Sequence, residues 1–464
     1  MMEVISHTKH WVRDIVTHFL GRQSQASLRV HLARSTAGTF ALKVISTGLG
    51  FLTSLVLARL LGAAGYGAYA YAMAWVRLLS VPATFGFHQL LVRNVAIYHA
   101  QEEWELLHGL LRFSDRLVLI TSIILMAGAG LLGWVSLSSK NNGSMLFALW
   151  IALLALPFLS LTQLRQAAMR GFQQIIRGQL PAMLIRPLFF LITVAGLYLL
   201  FRQYMSAPLV VALNVVATII AFGVGAYWLQ KTVPYEAKIT VPQIEVRAWI
   251  SGAVPLLLVA GIQIINFQID IILLGAFKDA LQVGVYEVVK RVTDLVSFPL
   301  LAVEVSIAPI IASLYATGQI IRLQKLISRS AKVLLTVSLP IVVLLIVFNK
   351  LILSIFGSDF TKGAFALIVL SIGQLMNAAF GPVGQLAIHT GHEKSTAVVV
   401  GLGATINVVL NVFLIPRWGF MGAAVATMIS LITWNLLLTV FVYKQTGILS
   451  TAFNFMKFDK RHNN

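Results

Sequence analysis

Twelve stretches of about 20 predominantly apolar residues follow one another along this chain, and that succession constrains its fold more than any other feature. A helix needs roughly 17 to 25 such residues to cross the hydrocarbon core of a bilayer. The first six run approximately over 37–58, 68–92, 117–137, 145–164, 180–201 and 208–229. The second six run over 249–277, 285–311, 333–348, 363–388, 395–415 and 420–443, the ninth being short before Asn349 and Lys350. Only 11% of the residues are charged and 58% are hydrophobic, where a soluble domain carries about 25% charged residues. The sequence therefore predicts an all-α polytopic membrane protein. Its longest loop has about 24 residues, too few for a soluble catalytic domain. With no cysteine in the chain, disulfides, thiolate metal sites and a cysteine nucleophile are excluded.

The few charges are lopsided: 35 Lys and Arg against 16 Asp and Glu, a net +19. Such a balance raises nucleic acid as a partner until the basic residues are placed. The segment 1–36, the even-numbered connections and the segment 444–464 hold 23 of the 35; the alternate connections hold 7, among them Arg59, Lys140, Arg202 and Lys278. Cytoplasmic segments are enriched in Lys and Arg. The expected topology is a cytoplasmic tail over 1–36, a six-helix lobe over 37–229, a cytoplasmic linker over 230–248, a second lobe over 249–443 and a cytoplasmic tail over 444–464. Most of the positive charge then serves topology and contact with anionic lipids, and no nucleic-acid partner is expected. The first apolar stretch has no small-residue cleavage site after it, so a removed signal peptide is not expected.

A repeat is visible in the pattern. Leu60-Leu61-Gly62-Ala63 leads into Gly67-Ala68-Tyr69 and reaches Pro82, and Leu273-Leu274-Gly275-Ala276 leads into Gly284-Val285-Tyr286 and reaches Pro299. The spacing from glycine to proline is the same in both, and Ser80 matches Ser297. The copies lie six spans apart, and an even offset preserves orientation. This predicts two six-helix parallel repeats about an axis along the membrane normal, the plan of transporters with a substrate site between halves.

These residues also carry a family resemblance. Leu57-Ala58-Arg59-Leu60-Leu61-Gly62, Gly65-Tyr66-Gly67-Ala68-Tyr69, Phe85-Gly86 and Arg93 resemble the opening of the polysaccharide-biosynthesis (Wzx-type) oligosaccharide flippases of the MOP superfamily, which also holds the MATE multidrug exporters and the lipid II flippases. Asp270 before Leu274-Gly275, Pro309 and Trp418-Gly419-Phe420-Met421-Gly422-Ala423-Ala424 resemble the family's second half. The resemblance implies a MATE-like fold and transport of lipid-linked glycans.

Ionisable groups inside spanning helices are costly and mark function by default. There are nine: Lys43, Arg77, Arg186, Asp270, Glu287, Lys290, Arg291, Asp294 and Glu304. The first half has three cations and no acid; the second has two cations and four acids. Lys43 shares a helix face with Ser46, Thr47, Gly50 and Ser54, fit to line a polar cavity. Lys43 and Arg186 each lie about 9 Å into their helices at 1.5 Å per residue, the depth at which an inner-leaflet diphosphate would be captured. Arg77 lies about 15 Å from the outer end of its helix, and its repeat counterpart is Asp294. Lys43, Arg77, Arg186 and Arg291 are accordingly the candidate substrate-binding residues. Arg77 and Asp294 form a candidate gate, pairing in one conformation and separating in another. Glu287, Lys290, Arg291 and Asp294 share one face of a helix, and Gln263, Asn266 and Asp270 another. Asp270, then Glu287, are the candidates for ion coupling; for each, a plain packing hydrogen bond is the competing explanation. Asn407 and Asn411 read as packing groups, and Trp and Tyr near span ends as interfacial anchors.

The glycines Gly62, Gly65 and Gly67 have phosphate-loop spacing but lack the preceding strand. The ten histidines show no metal-ligand pairing, so neither metal nor cofactor is expected. The expected function is non-enzymatic: flipping of polyprenyl-diphosphate-linked oligosaccharide across the cell membrane for surface polysaccharide such as O-antigen, with glycan polymerase machinery as a further partner. A MATE-type ion-coupled multidrug antiporter is the alternative; a membrane-embedded polymerase or ligase would need larger outer loops.

Overall fold

The structure, a computed structural model, describes residues 22–138, 143–201 and 205–452. The segment 1–21, Lys140, Arg202 and the segment 453–464 lie outside the described residues, and with them most of both expected tails. All described elements are helical. The longer ones are α1 (Arg22–Thr84), α2 (Phe87–Ala100), α3 (Trp104–Ser138), α4 (Gly143–Leu153), α5 (Leu156–Gly171), α6 (Ile175–Phe201) and α7 (Ala207–Thr232). The chain continues through α8 (Val246–Phe277), α9 (Ala280–Ala316), α10 (Ile320–Val347), α11 (Ala364–Phe380), α12 (Glu393–Trp418) and α13 (Phe420–Thr446).

Among the described residues, nine helices are long and apolar enough to cross a membrane, or up to eleven if each of two bent pairs is one span. The bent pairs are α4 with α5, at 40°, and the two parts of α9, at 43°. The first two expected stretches fall within the single helix α1, broken where Gly62 adopts a φ of 65°. The second stretch was expected to continue to residue 92, yet α1 stops at Thr84. Phe85 and Gly86 both take left-handed conformations there, with φ of 49° and 76°. Other helices outrun their apolar stretches: α3 begins at Trp104 and α10 at Ile320, so Arg112, Arg116, Arg322, Lys325 and Arg329 lie on helices. Isoleucine, leucine and valine side chains such as Ile192, Leu199, Leu200 and Leu258 stand exposed on the outer faces of the bundle, the arrangement that suits a hydrocarbon solvent.

The largest buried cluster joins the two halves of the sequence. Leu57, Tyr66 and Met73 of α1 pack in it with Val283, Tyr286 and Val292 of α9. At its centre the backbones nearly touch: a methyl group on Gly67 would lie 1.7 Å from the Ala280 carbonyl oxygen, and one on Gly284 would lie 2.0 Å from that of Ala63. Both positions therefore require glycine. A second cluster joins the halves elsewhere, through Phe87, Leu107 and Leu110 against Trp249 and Ala253 at the start of α8. Trp249 is fully buried there, and its indole N–H donates to the Tyr98 hydroxyl at 3.1 Å. The left-handed Gly86 lies against the Ala253 carbonyl, which a methyl group would approach to 2.3 Å.

Candidate functional site

Between these two junctions lies a cavity of about 580 Å³. Its walls come from α1, α5, α6, α7, α8 and α9, with His88 and Gln89 of α2 at the helix break. Ser46, Gly50 and Ser54, three of the small or polar residues on the expected face of the first span, line it. Lys43 does not: it is half-buried one turn away, near the charge of Glu304, whose carboxyl is hydrogen-bonded to Gln385.

Arg77, Arg186 and Arg291 all line the cavity, from three different helices. Glu287 is the one carboxylate among the described lining residues and forms an ion pair with Arg291 at 3.5 Å. Arg77 has neither a side-chain hydrogen bond nor an ion pair with another described residue. Its carbonyl accepts from the Ser80 hydroxyl at 2.8 Å, which in turn accepts from Gln163 at 3.3 Å. Arg186 follows a π-helical turn over Pro181–Ile185, an irregularity that recurs at functional sites because it rotates the helix face that follows. One guanidinium nitrogen of Arg186 donates to the Asn214 side-chain oxygen at 2.8 Å, and the Asn214 amide nitrogen donates to the Tyr69 hydroxyl at 2.8 Å. No acid among the described residues pairs with Arg186 or Arg77.

Asp270 is fully buried and stands apart from the cavity lining. Its carboxylate accepts from the Tyr286 hydroxyl, the Thr427 hydroxyl and the Asn411 amide, each at 2.8 Å. Asn407 completes the cluster by accepting from Asn411 at 3.0 Å. Polar groups from three helices, α9, α12 and α13, thus converge on one carboxylate carried by α8. Gln263 lines the cavity, whereas Asp270, seven residues further on, does not.

The charged face of α9 divides. Glu287 and Arg291 face the cavity, the Lys290 ammonium donates to the Phe267 carbonyl, and Asp294 is exposed outside the lining. No ion pair joins Asp294 to Arg77 in this conformation.

Sequence reasoning did not single out Tyr69, Asn214, Tyr286 and Thr427; Asn411, read there as a packing group, donates to Asp270 and Asn407. The two tyrosines hold matching places in the repeated Gly-x-Tyr motif, two residues after the paired glycines. That coincidence was the available signal: both are buried, 8% and 0% exposed, where an interfacial anchor would be wet.

Comparison with known proteins places this geometry. Residues 32–315 match the family described as polysaccharide biosynthesis protein, and residues 255–413 match the MatE family. The probable low-salt glycan biosynthesis flippase Agl15 of Haloferax volcanii is 24% identical over 404 residues, covering 86% of this chain and 81% of the relative. The probable flippase AglR of the same organism is 24% identical over 417 residues, covering 88% and 82%. Among solved structures, an inward-facing multidrug resistance MATE family transporter of the MOP superfamily superposes with a TM-score of 0.70 at 13% identity, covering 87% of this chain and 94% of that one. The lipid II flippase MurJ in an inward closed conformation gives 0.69 at 16% identity, covering 87% of each.

Proposed function

The chain belongs to the polysaccharide biosynthesis protein family, a multi-pass membrane transporter family, and from that premise we propose that it flips a polyprenyl-diphosphate-linked oligosaccharide across the cell membrane by alternating access. The observation that carries the substrate class is the charge of the cavity: three arginines against one glutamate, two of the arginines having no acidic partner. Unpaired cations at bilayer depth are stable only beside an anion or water, and a net charge of two positives complements the two negatives of a diphosphate diester. Arginine's forked donors suit phosphate oxygens. A MATE-type antiporter of cationic drugs would need the opposite sign in the lining. The relatives named as a probable low-salt glycan biosynthesis flippase and a probable flippase support the same reading.

The architecture proposed with it has twelve spans in two six-helix parallel repeats and both termini cytoplasmic. Two details support the repeat. The glycines Gly67 and Gly284 meet each other's carbonyl neighbours reciprocally. Ser80 and Ser297 each bond a glutamine of their own half, Gln163 and Gln374. Arg77 and Asp294 would pair in the alternate conformation, as a gate. Asp270 is the proposed site of ion coupling, with Glu287 second, since a buried carboxylate surrounded by oxygen and amide groups can take a proton or a cation. Lys43 would meet the head group at the entrance. Hand-off to glycan polymerase machinery is the proposed fate of the product. The test is genetic: deletion should cause lipid-linked oligosaccharide to accumulate on the inner leaflet of the producing strain. Normal surface glycan with no accumulation would refute the reading.

A further inference from the structure

The equivalent tyrosines of the two halves sit at the centres of two polar clusters of opposite charge. Around Tyr286 the partners are Asp270 and Thr427; around Tyr69 they are Asn214 and, through it, Arg186. Asn214 and Thr427 each lie seven residues after the first residue of their helices, α7 and α13. The second-half cluster gathers donors onto an anion already present, the Asp270 carboxylate. The first-half cluster gathers donors and holds no anion of its own.

Hydrogen-bond chemistry fixes the direction of each link in that first cluster. A guanidinium can only donate, so Asn214 must present its carbonyl oxygen to Arg186. That leaves the amide nitrogen for Tyr69, whose hydroxyl oxygen therefore accepts. The hydroxyl hydrogen has no acceptor among the described residues. The Tyr69 ring is held between Tyr66 and Phe190, with centroids 6.2 Å and 6.1 Å away and planes inclined by 20° and 9°. Tyr66, Tyr69, Arg186, Phe190 and Asn214 all border the cavity. The remaining guanidinium donors of Arg186 and the Tyr69 hydroxyl hydrogen thus belong to one fixed unit on the cavity wall, with no acceptor supplied by the described residues.

We infer that Tyr69, Asn214 and Arg186 form a phosphate subsite, in which Tyr69 and Arg186 donate to the oxygens of one phosphate of a lipid diphosphate and Asn214 is the positioning residue that holds both donors. The inference rests on the proposed function and extends it to two residues without charge. The Asn214 bridge matters because a lone arginine on the wall would sample many rotamers, each ordering step costing free energy on binding. Tied to Asn214, the fork is held in place before the ligand arrives.

The test uses the full chain in nanodiscs and two probes, farnesyl diphosphate and farnesol, whose difference is the diphosphate alone. The wild-type protein should bind the diphosphate at least tenfold more tightly than the alcohol. Tyr69→Phe, which removes one donor and keeps the ring, should cut that preference about tenfold, the worth of a hydrogen bond to a charged group. Asn214→Asp should cut it at least as far, because a carboxylate would pair with Arg186 and repel the phosphate. Farnesol affinity should be unchanged in both variants, which a merely structural lesion would not spare. A wild-type preference retained in full by Tyr69→Phe and Asn214→Asp would overturn the subsite while leaving the proposed function standing. A wild-type protein that binds both probes alike would overturn the two together.

Discussion

Arg186 illustrates how far single residues of this protein can be read. Its charge within an apolar stretch marks it at once, since an ionisable group at that depth is expensive, and the structure places it on the cavity wall with Arg77 and Arg291. The uncharged residues beside Arg186 and around the separate Asp270 were not legible in that way. Asn214, Asn411 and Thr427 are residue types that bind helices together throughout membrane proteins, so their function shows only when the helices that carry them are brought side by side. Two outcomes follow at this scale. Arg186→Ala should weaken diphosphate binding by about 1.5–3 kcal/mol, roughly ten- to a hundredfold, in a direct titration. Asp270→Asn should remove any sodium or pH dependence of transport at unchanged surface expression, measured in vesicles under imposed gradients; coupling that persists would assign the carboxylate to packing.

At the scale of elements, the apolar stretches were plain in the sequence and their breaks were not. The starts of α3 and α10 precede their apolar stretches because a helix continues wherever its backbone can bond internally, and polar residues extend it past the hydrocarbon. At the break after Thr84, the Ala253 carbonyl leaves no space for a side chain at Gly86. No local propensity in the sequence records such a contact. The junction of α1 with α9 gives a sharper case, because Gly67 and Gly284 are held at backbone contact. Gly67→Val should push the helices apart and destabilise the protein by at least about 1–3 kcal/mol, the typical cost of overpacking, visible as a lower melting temperature in detergent. The proposed gate belongs to the same pair of helices. Arg77→Ala and Asp294→Ala should each reduce transport several-fold, and the charge-swapped double variant should recover part of it; absence of any recovery would rule out direct pairing.

For the whole molecule, the membrane-spanning helical fold and the transporter family were legible in the sequence, through the spacing of apolar stretches and the motifs around Gly67 and Gly284. The cavity was foreseen only as a set of charges. Three arginines from separate helices line a single space because the two junctions between the halves bring α1, α6 and α9 around it. The net charge of +19 contributes little to that surface, since most of it lies outside the spans. The proposed function requires this surface to carry a diphosphate-linked glycan through the protein. Purified protein reconstituted in liposomes with fluorescent polyprenyl-diphosphate-linked oligosaccharide, probed by a membrane-impermeant glycosidase, measures that directly. Label starting on the inner leaflet should become cleavable with time, and the Arg77→Ala/Arg186→Ala protein should leave it protected. Protection that persists equally with the wild-type protein and with empty liposomes would contradict the proposed function.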